Sequence, residues 1–393
     1  MRLDVAPEDR PTTYWLLLGV TSVLLIIGLV MVLSSSSVQS LREHDTTWYY
    51  FTRQLVWVVL GVVAFAVVSR IDYRVLRRLS VPLLVLSTAL LVLVLIPGIG
   101  VRVNGARSWI GAGMFRIQPA ELAKLGLLLF CADLLARRSH RIEDARLTLV
   151  PILVVVGLTG ALMMLQPDLG GSMAVAAIVF AVLFVAGVPL LRLTGVLGVG
   201  ATLSIGLAVA EPYRRARLLA FLHPSRDPGN TGYQINQSLN GLASGGWFGS
   251  GLGESASKYG YLPNAHTDFI FAIIGEELGL LGTLLVIGLF ALFAVLGMKA
   301  ALRAPDLYGT LVAAGITAWI LAQALINIGG VIGLLPITGI TLPFVSYGGA
   351  SMLVTLAATG MLVNIAAHGR ARVGRPVHHR SPAHPAMRPV PAR

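Results

Sequence analysis

Hydrophobic and polar positions along this chain come in long blocks. Apolar stretches fall at roughly 14–36, 51–69, 79–98, 119–136, 147–165, 170–188, 191–210, 268–298, 307–330 and 342–367. Each can cross ~30 Å of hydrocarbon as a helix. The pattern predicts an all-α integral membrane protein of about ten transmembrane helices. The weakest division is at Gly187-Val188-Pro189, where only a tight turn and Arg192 separate two spans. Segment 268–298 is longer than a span needs, so it should tilt, protrude or break near Gly279 to Gly282. The first run follows acidic residues and exceeds the ~7–15 residues of a signal-peptide core, so it reads as a retained span.

The polar remainder divides the chain into an N-terminus (1–13), a membrane domain (14–367) and a tail (368–393). One large extracellular loop, 211–267, separates the seventh and eighth spans. The tail is rich in Pro, Arg and His, lacks apolar periodicity and reads as a disordered cytoplasmic end. With both termini inside, 19 of the 30 Lys and Arg residues lie on the cytoplasmic side and 10 outside, with Lys124 within a span. The short loops carry most of that bias, which turns the long loop outward.

Composition narrows the function. The 393 residues are 55% hydrophobic and 12% charged, with a mean hydropathy of +0.78. That charge fraction is about half that of soluble domains, so no sizeable soluble domain fits. The net charge of +12 does not imply nucleic acid, because the arginines sit in short inter-span loops as an orientation signal. Cys131, alone in an apolar run, reads as a small core residue. No P-loop or dinucleotide fingerprint is present, so no nucleotide cofactor is expected. An enzyme working on the outer face needs a substrate that arrives already activated, and a lipid-anchored one suits such a bundle.

Ionisable groups at membrane depth need partners or a task, since a charge there costs roughly 2.5–3.5 kcal/mol. Gln118-Pro119-Ala120-Glu121-Leu122-Ala123-Lys124 opens the fourth span, with Pro119 suited to the first turn. Glu121 and Lys124, on one helix face, form either an internal ion pair or a charged cavity lining. Asp168, in Gln166-Pro167-Asp168-Leu169-Gly170-Gly171, caps the sixth helix, lines a cavity, or does both. Arg102, Arg107 and Arg116 crowd an outer loop against the inside bias; lipid phosphates or a bound diphosphate would each account for them. In the long loop, Tyr213-Arg214-Arg215-Ala216-Arg217, a turn-rich stretch at 223–230 and glycines at 245–253 suit sugar hydroxyls or a re-entrant amphipathic segment. His266 stands without a second His or Cys at ligand spacing, which favours a structural role over metal. Asp268 either complements the dipole of a helix capped by Thr267 or acts in chemistry. Glu276 and Glu277 lie roughly 12 Å further along a continuous helix, and neighbouring helices are expected to hold them.

These segments resemble the SEDS family (shape, elongation, division and sporulation), the FtsW/RodA/SpoVE group of peptidoglycan polymerases. The match lies in Asn104-Gly105-Ala106-Arg107-Ser108-Trp109-Ile110, in Gln118 to Lys124, in Gln166 to Gly170 and in Tyr261-Leu262-Pro263-Asn264-Ala265-His266-Thr267-Asp268-Phe269-Ile270-Phe271. It continues in Gly275-Glu276-Glu277-Leu278-Gly279, Gly333-Leu334-Leu335-Pro336-Ile337-Thr338-Gly339 and Leu342-Pro343-Phe344-Val345-Ser346-Tyr347-Gly348-Gly349. The wording from Tyr261 to Gly279 is closer to the division branch, FtsW, than to the elongation branch. Asn264 stands where a Glu is usual and Ala350 where a Ser is common; neither touches the acid.

The resemblance implies a membrane glycosyltransferase that polymerises lipid II at the outer face of the bacterial cytoplasmic membrane, at the division septum. A class B penicillin-binding transpeptidase and divisome regulators are its implied partners. Asp268 is the implied catalytic acid residue, with Glu121, Lys124 and Asp168 lining the cavity. Gln118, His266, Ser346, Arg102 and Arg107 join as substrate-binding candidates from the matching motifs and outer loop. A diphosphate leaves without a proton, so one carboxylate to deprotonate the attacking hydroxyl suffices. Lys124, Arg102 and Arg107, or a divalent cation such as Mg or Mn, would neutralise the leaving group. The rival readings are a flippase for the same lipid and a non-catalytic division scaffold.

Overall fold

A computed structural model describes residues 10–103, 106–113, 115–210, 215, 221 and 231–369. Asn104, Gly105, residues 211–214, 216–220 and 222–230 of the long loop, and the tail from 370 lie outside the described residues, as do residues 1–9. The element order is α1 (Thr12–His44), α2 (Tyr49–Arg70), α3 (Tyr73–Leu76), α4 (Ser80–Leu93), β1 (Gly100–Val103), β2 (Ala106–Ala112), β3 (Phe115–Ile117), α5 (Pro119–Arg137), α6 (Leu149–Leu165), α7 (Leu169–Val185), α8 (Leu190–Ala210), α9 (Thr231–Ser244), α10 (Ile270–Arg303), α11 (Leu307–Val331) and α12 (Gly349–Ala367). The three strands form an antiparallel meander in chain order.

Each apolar stretch contains a helix. Among the described residues, six helical segments are long and apolar enough to cross a membrane: α1, α2, α3 running into α4, α10, α11 and α12. The helices α6 and α7 are shorter, and α5 carries charges. The all-α membrane body is as the hydropathy implies. Large apolar side chains such as Ile26, Val63, Val85 and Val154 stay exposed, which is what a lipid-facing surface requires. By contrast, α11 and α12 are mostly enclosed. The packing of α2 against α12 rests on a small residue: a Cβ at Gly360 would stand 2.7 Å from the Phe65 carbonyl oxygen.

Three local features depart from the hydropathy reading. The segment before α5, expected to be a loop, is a sheet, with Ile110 opposite both Gly100 and Ile117. The last span starts at Gly349, and 342–348 is irregular backbone although Leu342, Phe344 and Val345 are buried. Such backbone survives at membrane depth when protein rather than lipid surrounds it. Finally, Thr267 does not cap α10: Phe269 is the N-cap, and the Thr267 hydroxyl donates to the Asn264 carbonyl at 3.1 Å.

The expected break in α10 is at Gly279, where φ is 68° and ψ −166°. The break strands carbonyls and amides that the segment after α9 recovers. Ser250 and Gly251 N–H donate to the Glu276 and Glu277 carbonyls at 2.9 and 3.1 Å, while Leu280 and Leu281 N–H donate to the Gly246 and Trp247 carbonyls at 2.9 and 3.2 Å. Glu277 accepts from the Ser34 hydroxyl of α1 at 2.6 Å. Glu276 is held instead by the loop, through the Ser255 hydroxyl at 2.6 Å and the Ala256 N–H at 2.8 Å.

Candidate functional site

The helix ends beside the sheet enclose a cavity of about 870 Å³, within the range of ligand sites. One wall is the start of α5 and α7. Pro119 opens α5 with Gln118 as N-cap, which sets Glu121 and Lys124 one turn in. Lys124 Nζ lies 2.8 Å from Glu121 Oε1, and the two side chains are 1% and 8% exposed. The pair and the lining are therefore the same residues, since both face the cavity. Lys124 also sits 5.1 Å from the centre of the Trp319 ring, a favourable site for a desolvated ammonium.

Asp168 does both things expected of it. Its Oδ1 caps α7 by accepting from Gly171 N–H at 2.7 Å, and Oδ2 accepts from Gln118 Nε2 at 3.3 Å, at the cavity wall. The sheet forms a roof through Ala106, Ser108, Trp109 and Arg116. Its anchor is the Ser108 hydroxyl, which donates to the Gln166 carbonyl at 3.0 Å.

Another part of the wall is the chain entering α10. Asp268, half-buried, lines the cavity with His266 and Thr267. Three consecutive carbonyls fix its backbone: Tyr347 N–H donates to His266 O at 2.9 Å, the Ser346 hydroxyl to Thr267 O at 2.6 Å, and Asn327 Nδ2 to Asp268 O at 2.8 Å. Asn327 Nδ2 also reaches the Ile340 carbonyl at 2.7 Å. The carboxylate thus hangs from a peptide clamped by α11 and the 340–347 segment. Burial, opposed by the nearby Glu43 carboxylate, lowers the His266 imidazole from its ordinary 6.5 to about 4. It is neutral at physiological pH, packed 4.7 Å from the Tyr50 ring and 5.5 Å from Tyr347.

Of the expected site residues, Gln118, Glu121, Lys124, Asp168, His266 and Asp268 share this cavity. Ser346 does not line it; its hydroxyl is spent on Thr267 O and on Leu342 N–H at 2.8 Å. Arg102 and Arg107 do not line it either. Ala106, Ser108 and Trp109 line the cavity, whereas Arg107 turns to the Leu95 carbonyl, 3.3 Å away. Arg102 is exposed on β1, paired across from Arg107. The facing cations are Arg116, named in the outer loop, together with Arg53 of α2, which sequence reasoning passed over. Gln323 of α11 was also missed; it is buried, lines the cavity and has an Oε1 without a hydrogen-bond partner among the described residues. An amide in an apolar span was its one visible sign. Among the described residues no three His, Cys, Asp or Glu side chains assemble as a metal set.

A family model described as a cell cycle protein, FTSW_RODA_SPOVE, matches residues 14–371. Stage V sporulation protein E of Bacillus subtilis is 44% identical over 355 residues, covering 90% of this chain and 97% of its own. A probable peptidoglycan glycosyltransferase FtsW of Mycobacterium tuberculosis is 43% identical over 360 residues, covering 91% of this chain and 69% of its own. Two solved structures share the fold. One comes from work on polymerization and crosslinking by a peptidoglycan synthase complex, with a TM-score of 0.74 and 32% identity over 90% of this chain and 97% of that one. The other is the rod shape determining protein RodA of Thermus thermophilus, with a TM-score of 0.66 and 31% identity over 90% and 96%.

Proposed function

Because the chain belongs to the FtsW, RodA and SpoVE family, we propose that it is a peptidoglycan glycosyltransferase that polymerises lipid II at the outer face of the bacterial cytoplasmic membrane, in septal wall synthesis. The observation that carries this reading is one cavity lined by a clamped carboxylate, Asp268, and by three cations, Lys124, Arg53 and Arg116. The 4-hydroxyl of the acceptor sugar attacks the anomeric carbon of the donor. The bond from that carbon to the diphosphate oxygen breaks, and the diphosphate leaves with the electron pair. Asp268 takes the hydroxyl proton. The cations meet the charge that develops on the leaving group, in a site largely withdrawn from water.

Among the described residues no three His, Cys, Asp or Glu side chains make a protein-only metal site. A hard divalent ion would share Asp268 with the substrate phosphates, as such ions commonly do, and would supply charge neutralisation. Septal rather than elongation work is supported by the family model's description as a cell cycle protein and by relatives named FtsW and stage V sporulation protein E. A class B penicillin-binding transpeptidase as partner is supported by the fold shared with a chain of a peptidoglycan synthase complex. The excess of arginine at the far end of the bundle supports cytoplasmic termini.

The test is reconstitution of the purified protein with lipid II, with and without the transpeptidase. Glycan strands should form with the wild type and vanish with Asp268→Asn. Strand synthesis that survives in a folded Asp268→Asn protein sinks the base assignment. Translocation of labelled lipid without chain growth would make the protein a flippase instead.

A further inference from the structure

A second polar cavity lies at the other end of the bundle, outside the machinery described above. Its volume is about 310 Å³, and Arg74, Arg77, Ala136, Asp306, Leu307 and Tyr308 line it. Tyr308 begins α11, whose Gln323 lines the outer cavity, so roughly 22 Å of helix separates the two sites at 1.5 Å per residue. We infer that this cavity binds the phosphate of an anionic phospholipid headgroup.

The frame is rigid. Tyr73 is fully buried and donates its hydroxyl to Asp306 Oδ2 at 2.8 Å, while its backbone N–H donates to Asn364 Oδ1 at 3.1 Å. Arg74 Nε meets the same Asp306 oxygen at 2.8 Å. Arg77 Nε bonds Asp133 Oδ1, which also accepts from Arg137 Nε at 2.9 Å. Asp306 and Asp133 hold the two guanidiniums by Nε, and Arg74 Nη1 also lies 3.8 Å from Asp72 Oδ2; four of the five N–H bonds of each fork belong to its terminal nitrogens. Arg77 lies 5.3 Å from the centre of the Tyr308 ring.

One group in this frame lacks a partner. Tyr308 is 2% exposed, and its hydroxyl has no hydrogen-bond acceptor or donor among the described residues. A buried hydroxyl in that state is costly unless something fills the cavity. Two arginine forks and one phenolic O–H form a donor set, and a donor set fits phosphate oxygens. Asp72, Asp133 and Asp306 neutralise part of the charge, but Arg70, Arg138 and Arg303 stand at or next to the ends of other helices and add positive charge.

The phosphate is assigned to a lipid because of where the cavity lies. It opens at helix ends, at headgroup level, with Leu307 and Ala136 offering apolar surface beside the arginines. Val75, Leu79 and Leu302 are exposed on the adjoining helix ends, where acyl chains would cover them. Basic pockets between helix ends are a recurring way to hold anionic headgroups.

The experiment is native mass spectrometry of the purified full chain with added phosphatidylglycerol, phosphatidylcholine or inorganic phosphate. The wild type should retain one more phosphatidylglycerol than Arg74→Gln/Tyr308→Phe, with affinity at that site falling at least tenfold, and phosphatidylcholine retention should not change. Tyr308→Phe alone keeps the ring and its stacking, so it decides the matter if the double variant does not fold; it should weaken the same site several-fold. Equal retention of both lipids, or an unchanged phosphatidylglycerol count in the variants, overturns the inference. Binding of inorganic phosphate without any phosphatidylglycerol preference overturns the lipid source.

Discussion

Replacing Lys124 by Met tests whether the ion pair in the cavity wall is a stability element, a catalytic one, or both. Lys124 is 1% exposed and its ammonium rests 2.8 Å from Glu121 Oε1. The other Glu121 oxygen, Oε2, is buried without a hydrogen-bond partner among the described residues. Removing the lysine strands a carboxylate, and breaking a buried pair from one side costs ~3–5 kcal/mol. The lost ammonium contact with the Trp319 ring adds about 1 kcal/mol. Lys124→Met should therefore unfold well before the wild type. In Glu121→Gln/Lys124→Met neither charge remains, so only the ring contact and some packing are lost and the deficit should shrink to roughly 1–2 kcal/mol. The assay is thermal unfolding of the three proteins in one detergent, followed by strand synthesis from lipid II. Both variants should be inactive if the ammonium receives the diphosphate. A single variant as stable as the wild type would show that the pair is screened by water. A double variant no more stable than the single one would show that the loss comes from packing, not stranded charge. Wild-type polymerisation by the double variant would remove Lys124 from the mechanism.

Three further outcomes follow from the same geometry. Asn327→Leu removes the bonds to the Asp268 and Ile340 carbonyls, each worth ~1–3 kcal/mol when a buried acceptor is left bare; polymerisation should fall on the order of 100-fold in a protein that still folds, and an unchanged rate would show that this tie does not place the carboxylate. Gly279→Ala should lower the unfolding midpoint sharply, because φ is 68° and a Cβ would stand 2.4 Å from the Gly249 nitrogen; a wild-type midpoint would mean that the break is not held as described. His266 binds a proton less readily folded than unfolded, so its contribution is full above pH 6.5 and is lost as pH falls from 6.5 toward about 4. That loss is at most about 3 kcal/mol, and the pH dependence of the unfolding midpoint over that range should flatten in His266→Gln, whereas equal slopes would assign the titration elsewhere.

The helical membrane body was legible because the bilayer fixes both the length and the polarity of a crossing helix. The break at Gly279 was legible because the segment was too long and held glycines at 279 and 282. What hydropathy could not separate was burial in lipid from burial in protein. Residues 342–348 are as apolar as a span, yet they are irregular backbone enclosed by α2, α11 and the entry to α10. The sheet at 100–117 escaped for a different reason: its strands have only four, seven and three residues, too few for a clear alternation. The acids of the site were visible because charge is rare in such a chain. Arg53 was not, since an arginine near a helix end reads as an interfacial anchor until the fold brings α2 beside the sheet. Arg102 and Arg107 misled for the converse reason, because proximity in sequence does not say which face of a strand looks inward.

The clamp around Asp268 explains why irregular backbone concentrates there. A carboxylate on a regular helix shares the rigid geometry of that helix but can reach only what lies beside it. Here the chain turns from loop to helix at Asp268, and the carbonyls of 266, 267 and 268 are left without helical partners. The segment that abandons helix at 340–347 supplies two of the missing donors, and Asn327 supplies the third. Each irregular stretch thus satisfies the other, and neither exposes an unpaired polar group to lipid. The consequence is a base held by three elements at once, so its position is set before substrate arrives. It follows that substitutions at Ser346 or Asn327, which touch no substrate atom in this scheme, should act on the rate through the same carboxylate. Each paired with Asp268→Asn should add little to the loss from Asp268→Asn alone. Fully additive losses would mean that the clamp and the base act independently.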